Sequence, residues 1–319
     1  MRMDELDLRT YQLLHANGRL TYREVGEKLG INTAAVHARI RHLLDAGIFT
    51  RFTAKLSLSY LNGVITFLTG VSGFKPLSPH INELVKSDYI EKVFLFGSNL
   101  VMLRLVLPKY DDLGPAMEHI CETLRLQDVQ LMLPSSMVIG TASVHPKYVG
   151  DRELTLLDYK IVNALHDDSR RPLIGVAEEL QCSVKTVKSR LDHMIEVGAI
   201  EFSADWRLER SSGIPSVVMV DFQPGTSKTE LVNTLRCRFG PHIITTAQYS
   251  NRPDFMSANC WFPTMEEHGI FMRTLEGMDS VRTANSRIIQ STQIYETWRD
   301  KLLQIRAGAR GDVDRRLSR

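Results

Sequence analysis

Apolar residues recur at helical spacing three times within the first 45 positions, and the same pattern returns after position 155. Leu6, Tyr11, Leu13 and Leu14 mark one face of a helix between about 4 and 16, which Asn17-Gly18 stops. Thr21 and Glu24 form a capping box for a second helix, YREVGEKL, and Gly30 suits the left-handed residue beyond its end. A third helix starts at Asn32 or Thr33, buries Val36, Ile40, Leu43 and Leu44, and ends at Gly47. Phe49 to Leu56 then reads as extended, like a wing. In the later copy Pro172 opens the second helix, Ser183 caps the third and Gly198 ends it. A tight turn between second and third helices is helix-turn-helix geometry, in which the third helix can enter a major groove.

After each helical module come roughly 90 residues of alternating strand and helix signals. In the first half VITFLTGV is a strand and SPHINELVKS a short helix, while IEKVFLFG and LVMLRLVLP form a hairpin joined at Ser98-Asn99. DLGPAMEHICETL is a helix and VQLMLPSSMV a last strand. The second half matches with SVVMVDF, SKTELVNTLRCRF, IITTAQYS, FMSANCWFP, EEHGIFMRTL and VRTANSRIIQS. The order βαββαβ is ferredoxin-like. The expected fold is therefore α+β, a winged helix-turn-helix plus a ferredoxin-like domain, with the pair repeated twice in one chain. The expected boundaries are 1–56 and 151–208 for the helical modules, 60–146 and 214–298 for the ferredoxin-like domains, and 299–319 for a tail.

The repeat is visible residue by residue. A shift of 151 positions lays 6–50 on 157–201 without a gap and gives twelve identities, among them Asp7/Asp158, Arg19/Arg170, Arg39/Arg190 and Gly47/Gly198. The copy number is too low for a solenoid, so duplication of a domain-sized unit is the better account. Both copies resemble the N-terminal domain of the Lrp/AsnC family, the feast/famine regulators. The resemblance is carried by MDELDLRTYQLLHANGRLTYREVGEKLGINTAAVHARIRHLLDAGIF and LTLLDYKIVNALHDDSRRPLIGVAEELQCSVKTVKSRLDHMIEVGAI. The strand order downstream is similar to that family's effector and oligomerisation domain. The resemblance implies a sequence-specific transcriptional regulator of double-stranded DNA. It also implies a small effector, such as an amino acid, bound near the turn between the second and third strands. That turn holds Gly97, Ser98 and Asn99 in the first half and Asn251 and Asp254 in the second. The family's Gly and Asp are split between the two copies, and a plain hairpin turn is the alternative reading.

The candidate DNA-contacting residues are Thr33, Ala34, His37, Arg39 and Arg41 in the first third helix, and Ser183, Lys185, Thr186, Lys188 and Arg190 in the second. Lysines and hydroxyls reach phosphates and base edges, whereas alanines offer only methyl contacts. Arg39 and Arg190 lie beside the buried stripe, so each can touch DNA or pair internally with Asp7 or Asp158. Residues 1–55 hold nine Lys/Arg and six Asp/Glu, whereas 151–210 hold nine and twelve. The second module is thus the poorer DNA binder on charge alone.

Composition narrows the function without deciding it. A net charge of +2 says little about partners, but 299–319 holds seven Lys/Arg against three Asp, a basic tail that is solvated or touches phosphates. No apolar run approaches the roughly 20 residues of a spanning helix, and MRMDELDLRT lacks a signal peptide's apolar core. Four cysteines stand far apart without metal-ligand spacing, so a cytoplasmic protein with no metal and no cofactor is expected. No phosphate-binding glycine loop, HExxH or nucleophile grouping occurs. His119, His242 and His268 read as surface or core side chains, and the expectation is that the chain is not an enzyme. One enzymatic alternative shares the architecture: sirohaem decarboxylases, which resemble Lrp/AsnC proteins and work as paired related subunits, so that a fused pair would look like this chain. Another is a ligand-responsive assembly protein whose modules no longer bind DNA. A lone unit leaves an apolar sheet face uncovered; a homodimer is the expected assembly, and pairing of the two units within one chain the alternative.

Overall fold

The local signals at the start of the chain build the helices they suggest. In a computed structural model, which describes residues 2–139, 142–143, 147–150 and 153–308, α1 (Glu5–Ala16) opens on a capping box between Asp4 and Asp7. The Thr21–Glu24 box starts α2 (Tyr22–Leu29), and Gly30 closes it at φ 68°. Asn32, rather than Thr33, caps α3 (Thr33–Asp45) by accepting from the Ala35 amide. Val36, Ile40 and Leu43 pack on Leu8, Tyr11, Leu14 and Val25. Leu44, expected in that stripe, is exposed, because it follows Leu43 by a 100° turn of the helix. The later module repeats this with α5 (Leu156–Ala164), α6 (Leu173–Glu179) and α7 (Val184–Glu196) around Ile161, Val162, Val176, Val187 and Leu191.

The extended segments after the modules pair with each other. β1 (Phe49–Leu56) and β8 (Ile200–Trp206) form a two-stranded antiparallel ribbon, from Phe49 opposite Trp206 to Leu56 opposite Ile200. Two equivalent arginines brace it reciprocally. Arg19 Nη1 donates to the Ser169 carbonyl, and Arg170 Nη1 donates to the Gly18 and Leu20 carbonyls at 2.9 and 2.8 Å. Arg19 lies over the Phe202 ring and Arg170 over Phe52 and Tyr22. Gly18 is needed where the ribbon passes, since a Cβ there would stand 2.5 Å from the Ser203 carbonyl oxygen.

The ferredoxin-like halves make two antiparallel sheets. The first contains β2 (Val64–Ser72), β3 (Ile90–Phe96), β4 (Leu100–Leu107) and β5 (Leu126–Met132), with a 3-10 helix at Ser78–Lys86 and α4 (Leu113–Leu124) on its outer side. VQLMLPSSMV, expected as one strand, is two. It turns at Leu133 and continues as β6 (Pro134–Ile139), with a two-residue β7 (Ala142–Ser143), on the other sheet. Pro134 takes the first position of that strand, where a missing amide is tolerated. The second sheet contains β9 (Ile214–Phe222), β10 (Ile243–Tyr249), β11 (Arg252–Phe262) and β12 (Val281–Ile288), covered by α8 (Lys228–Phe239) and α9 (Met265–Glu276). VRTANSRIIQS likewise breaks, and β13 (Ser291–Ile294) pairs with β3. The orders are β13-β3-β4-β2-β5 and β12-β9-β11-β10-β6-β7, so each half completes the other's sheet.

Facing sheets bury Phe67, Phe94, Phe96, Met102, Val217, Met219, Tyr249 and Phe255 between them. Each such side chain contributes about 1.5–3 kcal/mol by leaving water, and the apolar sheet face of one half is covered by the other within a single chain.

The segment from Arg299, expected as a solvated tail, begins instead as a docked helix. α10 (Trp298–Arg306) buries Trp298, Arg299, Asp300 and Leu303 against α5 and β1. Its charges point inward because the interior supplies partners: Arg299 meets Glu91 at 3.0 Å and Glu201, and Asp300 meets Lys55 at 3.0 Å. The rest of the tail, 309–319, lies outside the described residues, as do 144–146 and 151–152 at the expected domain boundaries.

Candidate nucleic-acid interface

The two third helices present unlike faces. On α3, Thr33, Ala34, His37, Ala38 and Arg41 are exposed. His37 stands edge-on to Tyr22 with ring centroids 5.2 Å apart, and Arg170 of the later module covers the same tyrosine at 4.9 Å. A candidate contact residue of one module thus stands on a ring that a side chain of the other covers. On α7, Val184, Lys185, Lys188, Ser189 and Asp192 are exposed. Ser183 caps that helix by accepting from the Thr186 amide at 3.0 Å, and the two hydroxyls lie 2.8 Å apart. Those hydroxyls serve the cap first, which leaves Lys185 and Lys188 as the exposed lysines of this face, with no ion pair among the described residues.

Arg39 and Arg190 each make the internal ion pair that their place beside the buried stripe allowed. Arg39 Nη1 donates to Asp7 at 2.6 Å and Asp4 at 2.8 Å. Arg190 Nη1 donates to Asp158 at 3.0 Å and to the Thr155 hydroxyl at 2.9 Å. In each module the arginine ties the third helix to the N-terminal cap of the first. The partly buried carboxylate supplies the attraction, and a charge-assisted bond of this kind contributes about 1.5–3 kcal/mol.

The two turns singled out for an effector also make hydrogen bonds within the chain. Gly97 takes φ 78°, the Asn99 side-chain Nδ2 donates to the Ser72 carbonyl at 3.1 Å, and the Leu77 backbone amide donates to the Ser98 carbonyl at 2.8 Å. Asn251 accepts from the Leu133 amide at 2.9 Å and donates to the Leu131 carbonyl at 2.8 Å, holding the point where the chain crosses between sheets. Asp254 lies half-buried on β11.

Between the ribbon and the sheets lies a layer of buried charge that sequence reasoning missed. Glu91 would be raised by burial, but Arg104 and Arg299 hold its carboxyl well below the usual range. Asp300 would likewise be raised by burial, and Lys55, the His166 hydrogen bond and Arg299 hold it far below. The visible signal was the Glu91-Lys92 pair interrupting the otherwise apolar IEKVFLFG strand; the partners from α10 were too distant in sequence to foresee. His166, Asp167 and Glu296 bring ligand atoms within 4.8 Å of one another. Both ring nitrogens of His166 already face carboxylates, Asp167 at 2.9 Å and Asp300 at 2.8 Å.

Comparison with known proteins agrees on the module and divides on the whole. Residues 3–50 match the family of winged helix-turn-helix DNA-binding domains. An uncharacterized HTH-type transcriptional regulator of Pyrococcus furiosus is 31% identical over 88 residues, covering 28% of this chain and 60% of that protein. The HTH-type transcriptional regulator Ptr1 of Methanocaldococcus jannaschii is 30% identical over 94 residues, covering 29% and 63%. The chain thus matches less than two thirds of the length of these relatives. Among solved structures, the siroheme decarboxylase NirDL superposes with a TM-score of 0.58 at 14% identity, over 96% of this chain and 99% of that one. At that identity the likeness shows the fold. It also overturns the expectation that this chain is not an enzyme, because the architecture of the whole chain is one that an enzyme uses. Among the described residues no helix is long and apolar enough to cross a membrane.

Proposed function

We propose that the chain is a DNA-binding transcriptional regulator that carries two inequivalent reading helices on one internally paired scaffold, produced by tandem duplication of an Lrp/AsnC-like unit. The observation that carries this reading is the pair of exposed third-helix faces, held in fixed relation by the β1–β8 ribbon and the Arg19/Arg170 brace. On α7, Lys185 and Lys188 contact phosphates. On α3, contacts come from His37 and Arg41 together with close backbone approach at Thr33 and Ala34. An amino-acid-like effector at Gly97–Asn99 and at Asn251 and Asp254 belongs to the same proposal, as does a cytoplasmic homodimer. Because the sheets are already paired within the chain, such a dimer would use outer faces, and light scattering tests it.

Fluorescence anisotropy on duplex DNA from the gene's own upstream region tests the reading. The unmodified chain is expected to bind with steep salt dependence. The Lys185→Ala/Lys188→Ala protein should bind about tenfold more weakly at fixed salt, with a log–log salt slope smaller by about two. Unchanged affinity and slope would remove α7 from the interface. A second reading, a siroheme decarboxylase-like enzyme, is favoured by the full-length fold shared with NirDL, one structure of which is a complex with an iron-uroporphyrin III analogue. Absorbance titration of the purified chain with an iron-uroporphyrin separates the two: a saturable spectral shift supports the enzyme, and its absence removes it.

A further inference from the structure

Tyr22 joins the two modules at the flank of the first third helix. It is the first residue of α2, directly after the Thr21 cap, and is 36% exposed. The exposed His37 imidazole on α3 stands at 86° to its ring, with centroids 5.2 Å apart. The Arg170 guanidinium of the later module lies over the same ring at 4.9 Å and over Phe52 at 5.2 Å. Arg170 is itself fixed, because its Nη1 donates to the Gly18 and Leu20 carbonyls at 2.9 and 2.8 Å. Both carbonyls belong to the turn between α1 and α2, so one side chain of the later module holds the turn and the ring that follows it.

The later module carries no equivalent chain of contacts. Leu173 and Lys188 stand at the positions of Tyr22 and His37, and the reciprocal arginine, Arg19, lies over Phe202 on the ribbon. The Arg170–Tyr22–His37 stack is therefore not a simple consequence of the duplication. An exposed imidazole on a helix has several staggered rotamers open to it. A ring beside it narrows that choice before any ligand arrives, and preorganisation of this kind lowers the ordering cost of a contact that only the matching base edge rewards. A planar guanidinium suits the task of backing the ring, since it stacks on an aromatic face while its N–H groups reach carbonyls.

We propose that Arg170 is a positioning residue for DNA recognition by the other module: through Tyr22 it orients His37, and so sets which base pair the earlier module prefers. The proposal rests on the regulator reading above and adds that the later module governs the specificity of the earlier one. The lysines of α7 take no part in the stack, so disturbing it changes preference at one base pair and leaves the other half-site alone.

In vitro selection of duplexes bound by the full chain tests this, followed by anisotropy titrations with each of the four base pairs at the selected positions. His37→Ala should abolish discrimination at one base pair and thereby identify it. Tyr22→Leu, which installs the residue of the later module, and Arg170→Gln should each lower discrimination at that same base pair. The expected loss is roughly two- to tenfold, the effect of losing one aromatic contact. Tyr22→Phe keeps the ring and should keep the discrimination. Should Arg170→Gln fail to fold, Arg170→Lys replaces it, because a compact ammonium does not present a stacking plane to Tyr22. Unchanged discrimination in Tyr22→Leu or in the Arg170 variant, a uniform loss of affinity for all sequences, or no position relaxed by His37→Ala would overturn the proposal. A parent chain that selects no sequence overturns the regulator reading and this proposal together. A parent that selects a site which Tyr22→Leu reads equally well overturns this proposal alone.

Discussion

Asp300→Asn isolates the charge of one buried carboxylate while leaving its shape nearly intact. Asp300 is 1% exposed, accepts from the Thr297 amide at 2.7 Å, and faces Lys55 at 3.0 Å and His166 Nε2 at 2.8 Å. The asparagine oxygen can keep the Thr297 bond, so the cap survives. The ion pair does not, and Lys55, 6% exposed, is left buried without its counter-charge. Removing one partner of such a pair costs about 3–5 kcal/mol. At roughly 2–3 °C per kcal/mol for a chain this long, Tm should fall by about 6–15 °C, read by circular dichroism. Adding Lys55→Met should recover part of the loss, because the stranded charge goes with it. The pH dependence has a defined sign. The carboxyl pKa is lowered on folding from its ordinary 3.8, so its stabilisation is full above that value and withdrawn as pH falls below it toward the folded pKa. A single variant within about 1 kcal/mol of the parent, or a double variant no better than the single, would refute the account of α10 as a docked, charge-anchored helix.

Three further substitutions probe the scaffold. Arg170→Ala removes the donor to two carbonyls and the cover on Tyr22 and Phe52, and should cost about 1.5–3 kcal/mol in urea unfolding. Gly18→Ala forces a Cβ against the Ser203 carbonyl and should cost about 1–3 kcal/mol by the same assay; a neutral effect would contradict the close approach of module and ribbon. Gln181 holds φ 53°, the left-handed conformation that Gly30 supplies at the equivalent position, so Gln181→Gly should stabilise the chain by about 0.5–1 kcal/mol. Unchanged stability there would show the left-handed residue to be unstrained.

Helix starts and stops were legible because their causes are local. Thr21 with Glu24, and Gly30, act within one turn of chain, and Ser183 caps the helix that begins beside it. The strand order was legible for the same reason, since alternation reads out residue by residue. What escaped was set across the fold. Nothing near Leu133 announces that the strand after it joins the facing sheet, because its partner, Tyr249, is over a hundred residues away. Arg299 and Asp300 looked like tail charges until Glu91, Glu201 and Lys55 converged on them. Arg39 and Arg190 looked equally suited to DNA or to an internal partner, since spacing places them beside the stripe without saying which acid lies within reach.

Genome-wide mapping of the sites bound by the chain in its own cells tests the central claim most directly. Two inequivalent readers on one rigid scaffold predict discrete enriched sites with two unlike half-sites at fixed spacing, on the order of one helical turn or a multiple of it. No enrichment over a mock control, or a single palindromic motif, would contradict that account.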